Sequence, residues 1–187
     1  MKTEENIVSY SSMSSNEMSS FDLLKHYWGN SGRALTLHDI GVHERVRELI
    51  KRPDAFKGLF ESNDGTSVQS RFISQIQNGN RIFFENTYNF RTPASYFNDP
   101  LWAIGGAIVS GRLHVVSAVP YGQTYKLSAI ITYKLYDKFT DPYDLMNFFP
   151  GEWNPDGTPF DITGQWTENA NFSVSKYVYE SKIKPNI

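Results

Sequence analysis

A long alternation of apolar and polar residues in the second half of the chain constrains the fold more than any other feature. In the segment YGQTYKLSAIITYKLYDKF, residues 121–139, apolar side chains recur at every second position: Tyr125, Leu127, Ala129, Ile131, Tyr133 and Leu135. A period of two places these side chains on one face of a β-strand, because successive strand side chains point to opposite faces. We therefore expect one long strand here, within a sheet that buries one face.

Two segments before this strand have apolar residues at helical spacing. GVHERVRELIKRPD, residues 41–54, has an apolar stripe at i, i+4, i+7 and i+8, and Pro53 is expected to end the helix. SVQSRFISQIQNG, residues 67–79, has a weaker stripe of the same kind, with Gly79 as its C-terminal stop. Both segments are predicted to be helices that bury one face.

The rest of the folded sequence is predicted to be strands and turns. NRIFFENTYNF (80–90), LWAIGGAIVSGRLHVVSAVP (101–120) and NFSVSKYVYESKI (171–183) have the apolar runs of strands, and the glycine pair in IGGAI indicates a bulge or a sharp bend. GEWNPDGTPFDITGQW (151–166) is rich in turn residues. Helices followed by a meander of long strands predict an α+β fold with a curved antiparallel sheet closed by helices. Residues 1–20 are predicted to be a flexible tail, and residues 21–187 a single domain.

Composition excludes several classes of protein. The chain has no cysteine, so disulfides and thiolate metal sites are ruled out. Its 18 basic and 20 acidic residues give a net charge of −2, and we expect no nucleic-acid partner, because such proteins have a clustered basic face. The sequence has no run of about 18 apolar residues, so no membrane span is predicted. The N-terminus lacks the apolar core of a secretory signal peptide.

A cluster of acidic residues follows the long alternating strand. Asp137 is close to the strand end, and Asp141, Tyr143 and Asp144 come next in the chain. Functional groups are often held where a rigid strand ends, and two neighbouring carboxylates can divide the roles of acid and base or hold a metal. A solvated turn is the other interpretation, because Asp-Pro is a common turn start. The four histidines have no metal-binding spacing, and no phosphate-binding or nucleophile motif occurs.

Four segments, in this order, resemble the catalytic domain of colicin M, a bacteriocin that degrades lipid II. They are KHYWGNSGRALTLHDIGV (25–42), the helix at 42–52, GGAIVSGRLHVV (105–116) and the strand that ends in YDKFTDPYD (136–144). The resemblance covers roughly residues 21–150. It implies a compact domain with a strongly curved antiparallel half-barrel and a few helices packed at its N-terminal side.

The resemblance also implies an activity and a set of partners. Domains of this type are Mg²⁺-dependent phosphodiesterases that cut lipid II between its undecaprenyl carrier and the pyrophosphoryl sugar-peptide, which stops peptidoglycan synthesis. The expected substrate is lipid II at a membrane surface, and a toxin of this kind needs an immunity protein. We expect a monomer that leaves its producer without a signal peptide, by secretion or injection, and acts in the periplasm of a target bacterium.

The family motif, Asp-x-Tyr-Asp followed after about five residues by His-Arg, fits only in part. Asp141, Tyr143 and Asp144 match its first half, which implies that Asp141 and Asp144 bind Mg²⁺ or orient water and that Tyr143 holds the phosphate. A second register places Asp137 at the first position of the motif. Pro150-Gly151 follows where His-Arg is expected. The residues considered as replacements are Glu152, Asp161, His114 and His26.

The missing His-Arg pair leaves other functions open. The chain could be a non-catalytic binding module on this fold, which its abundant aromatic residues suit, since they make up 15% of the sequence. It could also be a secretion-system effector or a hydrolase with a different target. Replacing Asp144 separates the catalytic hypothesis from the binding hypothesis, because only a catalytic function depends on that carboxylate.

Overall fold

The fold is a mixed α+β structure, as the order of elements predicts. The structure is a computed structural model, and it describes residues 16–51, 57–58, 67–79, 82–89, 99–140 and 157–187. The helices of this part of the chain are α1 Ser20–Trp28, α2 Leu37–Ile40, α3 His43–Leu49, α4 Val68–Gln77, α5 Pro100–Ile104 and α6 Lys176–Val178. The strands are β1 Leu35–Thr36, β2 Lys57–Gly58, β3 Phe83–Asn89, β4 Gly106–Tyr121, β5 Thr124–Phe139 and β6 Phe160–Ser175.

The six strands form one open sheet in the order β1-β6-β5-β4-β3-β2. Neighbouring strands are antiparallel, except that β1 runs parallel to β6. The long strand predicted from the alternation is β5, which pairs with β6 over its full length and with β4 from Thr124 to Tyr136. A register shift between Val115 and Ser117 puts a bulge in β4, and such a bulge bends a strand and increases its twist.

One face of the sheet is buried and the other is exposed. Along β5, Leu127, Ala129, Ile131, Tyr133 and Leu135 are buried, whereas the residues between them are exposed or half-buried. The buried face and the apolar sides of the helices form one continuous core. We call the side of the sheet that carries the buried residues the inner face, and the opposite side the outer face.

Both predicted helices are confirmed, and two further helices begin with capping boxes. α3 and α4 lie within the segments predicted from apolar spacing, and Val68, Phe72 and Ile76 of α4 are buried. α1 and α2 each begin with a hydroxyl side chain, Ser19 or Thr36, that accepts a hydrogen bond from the backbone N–H three residues later. Such caps supply partners to N–H groups that the first turn leaves unpaired.

The ordered part of the chain begins earlier than the predicted end of the tail. The Met18 N–H donates to the Ile40 carbonyl at 2.9 Å, and Ser19 is the N-cap of α1. Glu17 also forms an ion pair with Arg45. Residues 16–20 are therefore packed against the domain, and residues 1–15 of the predicted tail lie outside the described residues.

Two secondary-structure predictions are wrong. Residues 101–104 are helical rather than extended, because Asp99 caps α5 and Pro100 occupies its first position, which favours a helix start. The predicted last strand stops at Ser175, and the chain continues as α6, a π turn Tyr179–Ile183 and a 3₁₀ turn Lys184–Asn186. The predicted bend at the glycine pair is present, since Gly105 has φ 60° between α5 and β4.

We expect Gly164→Ala to lower the free energy of unfolding by about 1–3 kcal/mol through overpacking. Gly164 lies opposite Leu135 on the inner face, and a Cβ added there would overlap the fully buried side chain of Leu37. Urea unfolding monitored by tryptophan fluorescence would measure the loss. Thr167→Ala on the same strand is the control, because Thr167 is exposed. Equal midpoints for the two variants would contradict the overlap with Leu37.

Candidate functional site

The predicted site residues divide between described and undescribed parts of the chain. Asp137 is the third residue from the end of β5. Asp141, Tyr143 and Asp144 lie outside the described residues, as do Pro150-Gly151 and Glu152. The described part of the predicted site is therefore the end of β5, together with the start of β6 that pairs with it.

Asp137 occupies an inner-face position that an apolar residue would normally take. It continues the series Tyr133 and Leu135, is followed at the next inner position by Phe139, and lies opposite buried Ile162. Because burial penalises the charged form, the pKa of the Asp137 carboxyl rises to about 7, partly offset by a hydrogen bond from the backbone of Lys138.

Aromatic rings close the core beside Asp137. Phe139 stacks on Phe160 with ring centroids 5.0 Å apart, and Tyr27 of α1 packs against Phe139 at 5.9 Å. His26 contacts Phe160 edge-on at 4.6 Å, and its Nε2–H donates to the Arg33 carbonyl at 2.8 Å. His26 therefore fixes the loop after α1, which is a structural role. These contacts keep the end of β5 and α1 in a defined position.

A second carboxylate, Asp161, lies on the adjacent strand. It pairs in register with Lys138 and accepts a hydrogen bond from the Tyr136 hydroxyl at 3.0 Å. Its negative charge is a further cause of the raised pKa of Asp137. The same hydrogen bond raises the pKa of Tyr136, so the phenol stays protonated at neutral pH. Asp161 and the Tyr136 phenol therefore lie on the outer face at this end of the β5–β6 pair, whereas Asp137 lies on the inner face.

This arrangement suits proton transfer. A carboxyl group with a pKa of about 7 is protonated in part of the molecules and ionised in the rest at neutral pH. General acids and bases work best when their pKa is close to the working pH. Asp137 therefore has the acid–base property of an imidazole, although it is a carboxyl group.

The other histidines do not join this cluster. His114 lies on β4 opposite Ile130, seven positions along β5 from Asp137, which corresponds to about 23 Å of strand. The rings of His38 and His43 stack at 3.7 Å, because the left-handed Gly41 reverses the chain between them. The His43 ring is also held by Glu44 and by the Gln165 carbonyl. His114 is therefore remote from Asp137, and His38 and His43 are held by each other and by the contacts of His43.

A polar groove lies on the outer face next to the Tyr136–Asp161 hydrogen bond. Its volume is about 560 Å³, and it runs across the sheet from β3 to the start of α2. The residues that line it are Thr36, His38, Glu85, Ile108, Ser110, Lys134, Leu135, Tyr136, Thr163, Gly164 and Gln165. Tyr136 lines this groove, and its hydroxyl donates a hydrogen bond to Asp161.

Within the described ranges, no group of three or more His, Asp or Glu side chains could hold a metal ion. No described helix is long and apolar enough to cross a membrane. The chain matches no protein-family model, curated protein or solved structure. Function therefore has to be inferred from the residues and their geometry.

Proposed function

We propose that this chain is an antibacterial toxin domain of the colicin M type, which hydrolyses the undecaprenyl-pyrophosphoryl linkage of lipid II and so blocks peptidoglycan synthesis. The observation that carries the proposal is Asp137. Its pKa of about 7 is close to that of an ordinary histidine, roughly 6.5. A half-buried carboxyl at this strand end supplies the acid–base group that the absent His-Arg pair leaves unfilled.

The proposed reaction is a phosphodiester hydrolysis. A water oxygen attacks phosphorus, the bond from phosphorus to the carrier oxygen breaks, and one proton passes from water to the leaving side. In its ionised form Asp137 takes the proton from water, and in its protonated form it donates one to the leaving oxygen. The charge of Asp161 favours the protonated form of Asp137.

Mg²⁺ is the cofactor of this proposal, with Asp141 and Asp144 as its ligands and Tyr143 on the phosphate. Carboxylate oxygens are the ligands that Mg²⁺ prefers, and few of them are needed when substrate phosphate completes the shell. When bound, the ion would neutralise charge on the pyrophosphate. Asp141 follows Phe139, the last residue of β5, by two positions, so the ligand segment continues directly from the strand that carries Asp137.

The proposal includes the half-barrel curvature of the sheet. Three strands of 16 residues and the bulge in β4 favour a bent sheet. The outer-face groove supports it as well, because residues of β3, β4, β5, β6 and β1 line one depression. A flat sheet would not bring these five strands around a common cavity.

The remaining parts of the proposal follow from the substrate. Lipid II is reached at the periplasmic side of a target cell's inner membrane, so the toxin is secreted or injected without a signal peptide. It acts as a monomer, and an immunity protein protects the producer. The aspartate-centred site makes nucleic acid an unsuitable partner, because phosphate backbones are bound by clustered Lys and Arg.

Cleavage of labelled lipid II in the presence of Mg²⁺ tests the proposal. We expect the wild type to release the pyrophosphoryl sugar-peptide, and Asp137→Asn and Asp144→Ala each to lower the rate by about 10²–10⁴. Glu48→Gln is the matched control, because Glu48 is an exposed carboxylate on α3. An inactive wild type, or an Asp137→Asn variant at the control rate, would refute the catalytic role.

A non-catalytic binding module is the second candidate, and the outer-face groove favours it. The groove offers polar side chains and an exposed tyrosine without needing the Asp141–Asp144 segment. This candidate predicts that the wild type binds the lipid II headgroup without turnover. It also predicts that Asp144→Ala binds as tightly as the wild type.

A further inference from the structure

The outer-face groove is a feature that the reaction proposed above does not use. Its volume of about 560 Å³ lies within the range of small-molecule pockets, roughly 300–1,000 Å³. Glu85 of β3 lies at one side and His38 of α2 at the other, and β4, β5 and β6 form the floor. The groove is therefore large enough for one or two sugar rings laid across the strands.

The side chains of the groove suit a polyhydroxylated ligand. Four hydroxyl or amide side chains line it: Thr36, Ser110, Thr163 and Gln165. Hydroxyl and amide groups can donate and accept hydrogen bonds. The Thr36 hydroxyl already does both with Asp39 in the cap of α2, so the other three side chains are the ones that a sugar would contact. Tyr136 is 42% exposed and Ile108 lies beside it on the neighbouring strand, so the floor also has an apolar platform. A sugar ring presents C–H groups on its faces and hydroxyls on its edge, and it needs this combination.

The charges along β5 select for an anionic substituent on that sugar. Lys134 and Lys138 flank Tyr136 on the outer face, because residues two apart in a strand point to the same side. Lys134 lines the groove, and Lys138 lies one pair beyond it, opposite Asp161. An ammonium group is a good point-charge partner for a phosphate. Glu85 lies two strands away from these lysines, and Asp161, the carboxylate opposite Lys138, offsets one of their two positive charges.

Tyr136 connects the groove to Asp161. Its ring lines the groove, and its hydroxyl donates to Asp161 at 3.0 Å. We propose that the groove binds the sugar of a sugar phosphate, with the phosphate on the ammonium groups of Lys134 and Lys138. This inference rests on the proposed function, since it assigns the groove to the disaccharide headgroup of lipid II. Because Asp137 lies on the inner face, the pyrophosphate has to pass the end of β5 to reach that carboxyl.

Binding of the water-soluble disaccharide-pentapeptide pyrophosphate, measured by titration calorimetry without turnover, tests the groove directly. We expect Tyr136→Ala and Lys134→Ala each to raise Kd at least tenfold. Tyr136→Phe keeps the ring and is expected to stay within threefold of the wild type. Thr167→Ala and His114→Ala change exposed residues that do not line the groove and serve as controls. Unfolding midpoints would show that the variants remain folded.

The same variants separate this inference from the proposed function. Headgroup binding that depends on Tyr136 and Lys134, without cleavage of lipid II, would support the groove and refute the catalytic proposal. Cleavage with a KM that Tyr136→Ala leaves unchanged would overturn the groove and leave the catalytic proposal intact. Absence of headgroup binding by the wild type at millimolar concentration would also overturn the groove.

Discussion

Arg45→Met is expected to lower the free energy of unfolding by about 3–5 kcal/mol, because it removes the cation from between two largely buried carboxylates. The Arg45 side chain is only 8% exposed, and its two terminal nitrogens each donate to one oxygen of Asp99 at 2.7 Å. One of these nitrogens is also 2.8 Å from a Glu17 oxygen, and the Glu17 side chain is 5% exposed. The ion triad joins α3 to the N-terminal segment and to the cap of α5.

Urea unfolding of Arg45→Met at neutral pH measures this loss, and Lys25→Met is the matched control. Lys25 and Asp22 are three positions apart on α1, and both side chains are solvent-exposed. Removal of this ion pair should therefore cost less than about 1 kcal/mol. Adding Asp99→Asn to Arg45→Met is expected to restore part of the stability, because one stranded charge is then gone. Equal losses for Arg45→Met and Lys25→Met would contradict the buried triad.

The sequence predicts most elements whose own pattern is strong. The alternation of residues 125–135 predicts β5, and the apolar stripes predict α3 and α4, because burial of one face imposes the period directly. The glycine pair correctly marks a bend before β4. These features depend on local geometry, so no knowledge of the neighbours is needed to find them.

β6 shows where local pattern is insufficient. Its buried residues Phe160, Ile162, Trp166, Ala170 and Val174 do alternate. Gly164 interrupts this inner series and Asp161 and Asn169 occupy outward positions, which makes the segment resemble turns. The strand forms because it pairs with β5 over 16 residues. Tertiary pairing therefore overrides the weak intrinsic preference for a strand.

The candidate site is predictable in its chemistry but not in its pairing. The sequence places Asp137 at a strand end. The burial of Asp137 and the position of Asp161 opposite Lys138 depend on the register of β5 and β6. Tyr136 was not expected in the site, because its role depends on a diagonal contact to the next strand.

The stability of the wild type should fall between about pH 4 and pH 7, and Asp137→Asn should abolish this fall. The pKa of Asp137 is about 7 in the folded protein and close to 3.8 when the chain is unfolded. The folded state therefore binds more protons in this range, so its stabilisation is fully present below about pH 4 and is lost as pH rises through 7. A shift of this size corresponds to about 2–4 kcal/mol for a side chain that is not fully buried.

Urea unfolding of both proteins at intervals from pH 4 to pH 8 measures the effect as the difference between the wild type and Asp137→Asn, which cancels the contributions of other groups. The variant should be the more stable protein at pH 8 and yet the inactive one, because the ionised carboxylate that destabilises the fold is the base that the reaction needs. Asp161→Asn should move the fall in wild-type stability to lower pH, since a negative charge beside Asp137 is removed. A difference between wild type and Asp137→Asn that stays constant with pH would mean that Asp137 titrates normally, and its proposed acid–base role would then have no physical basis.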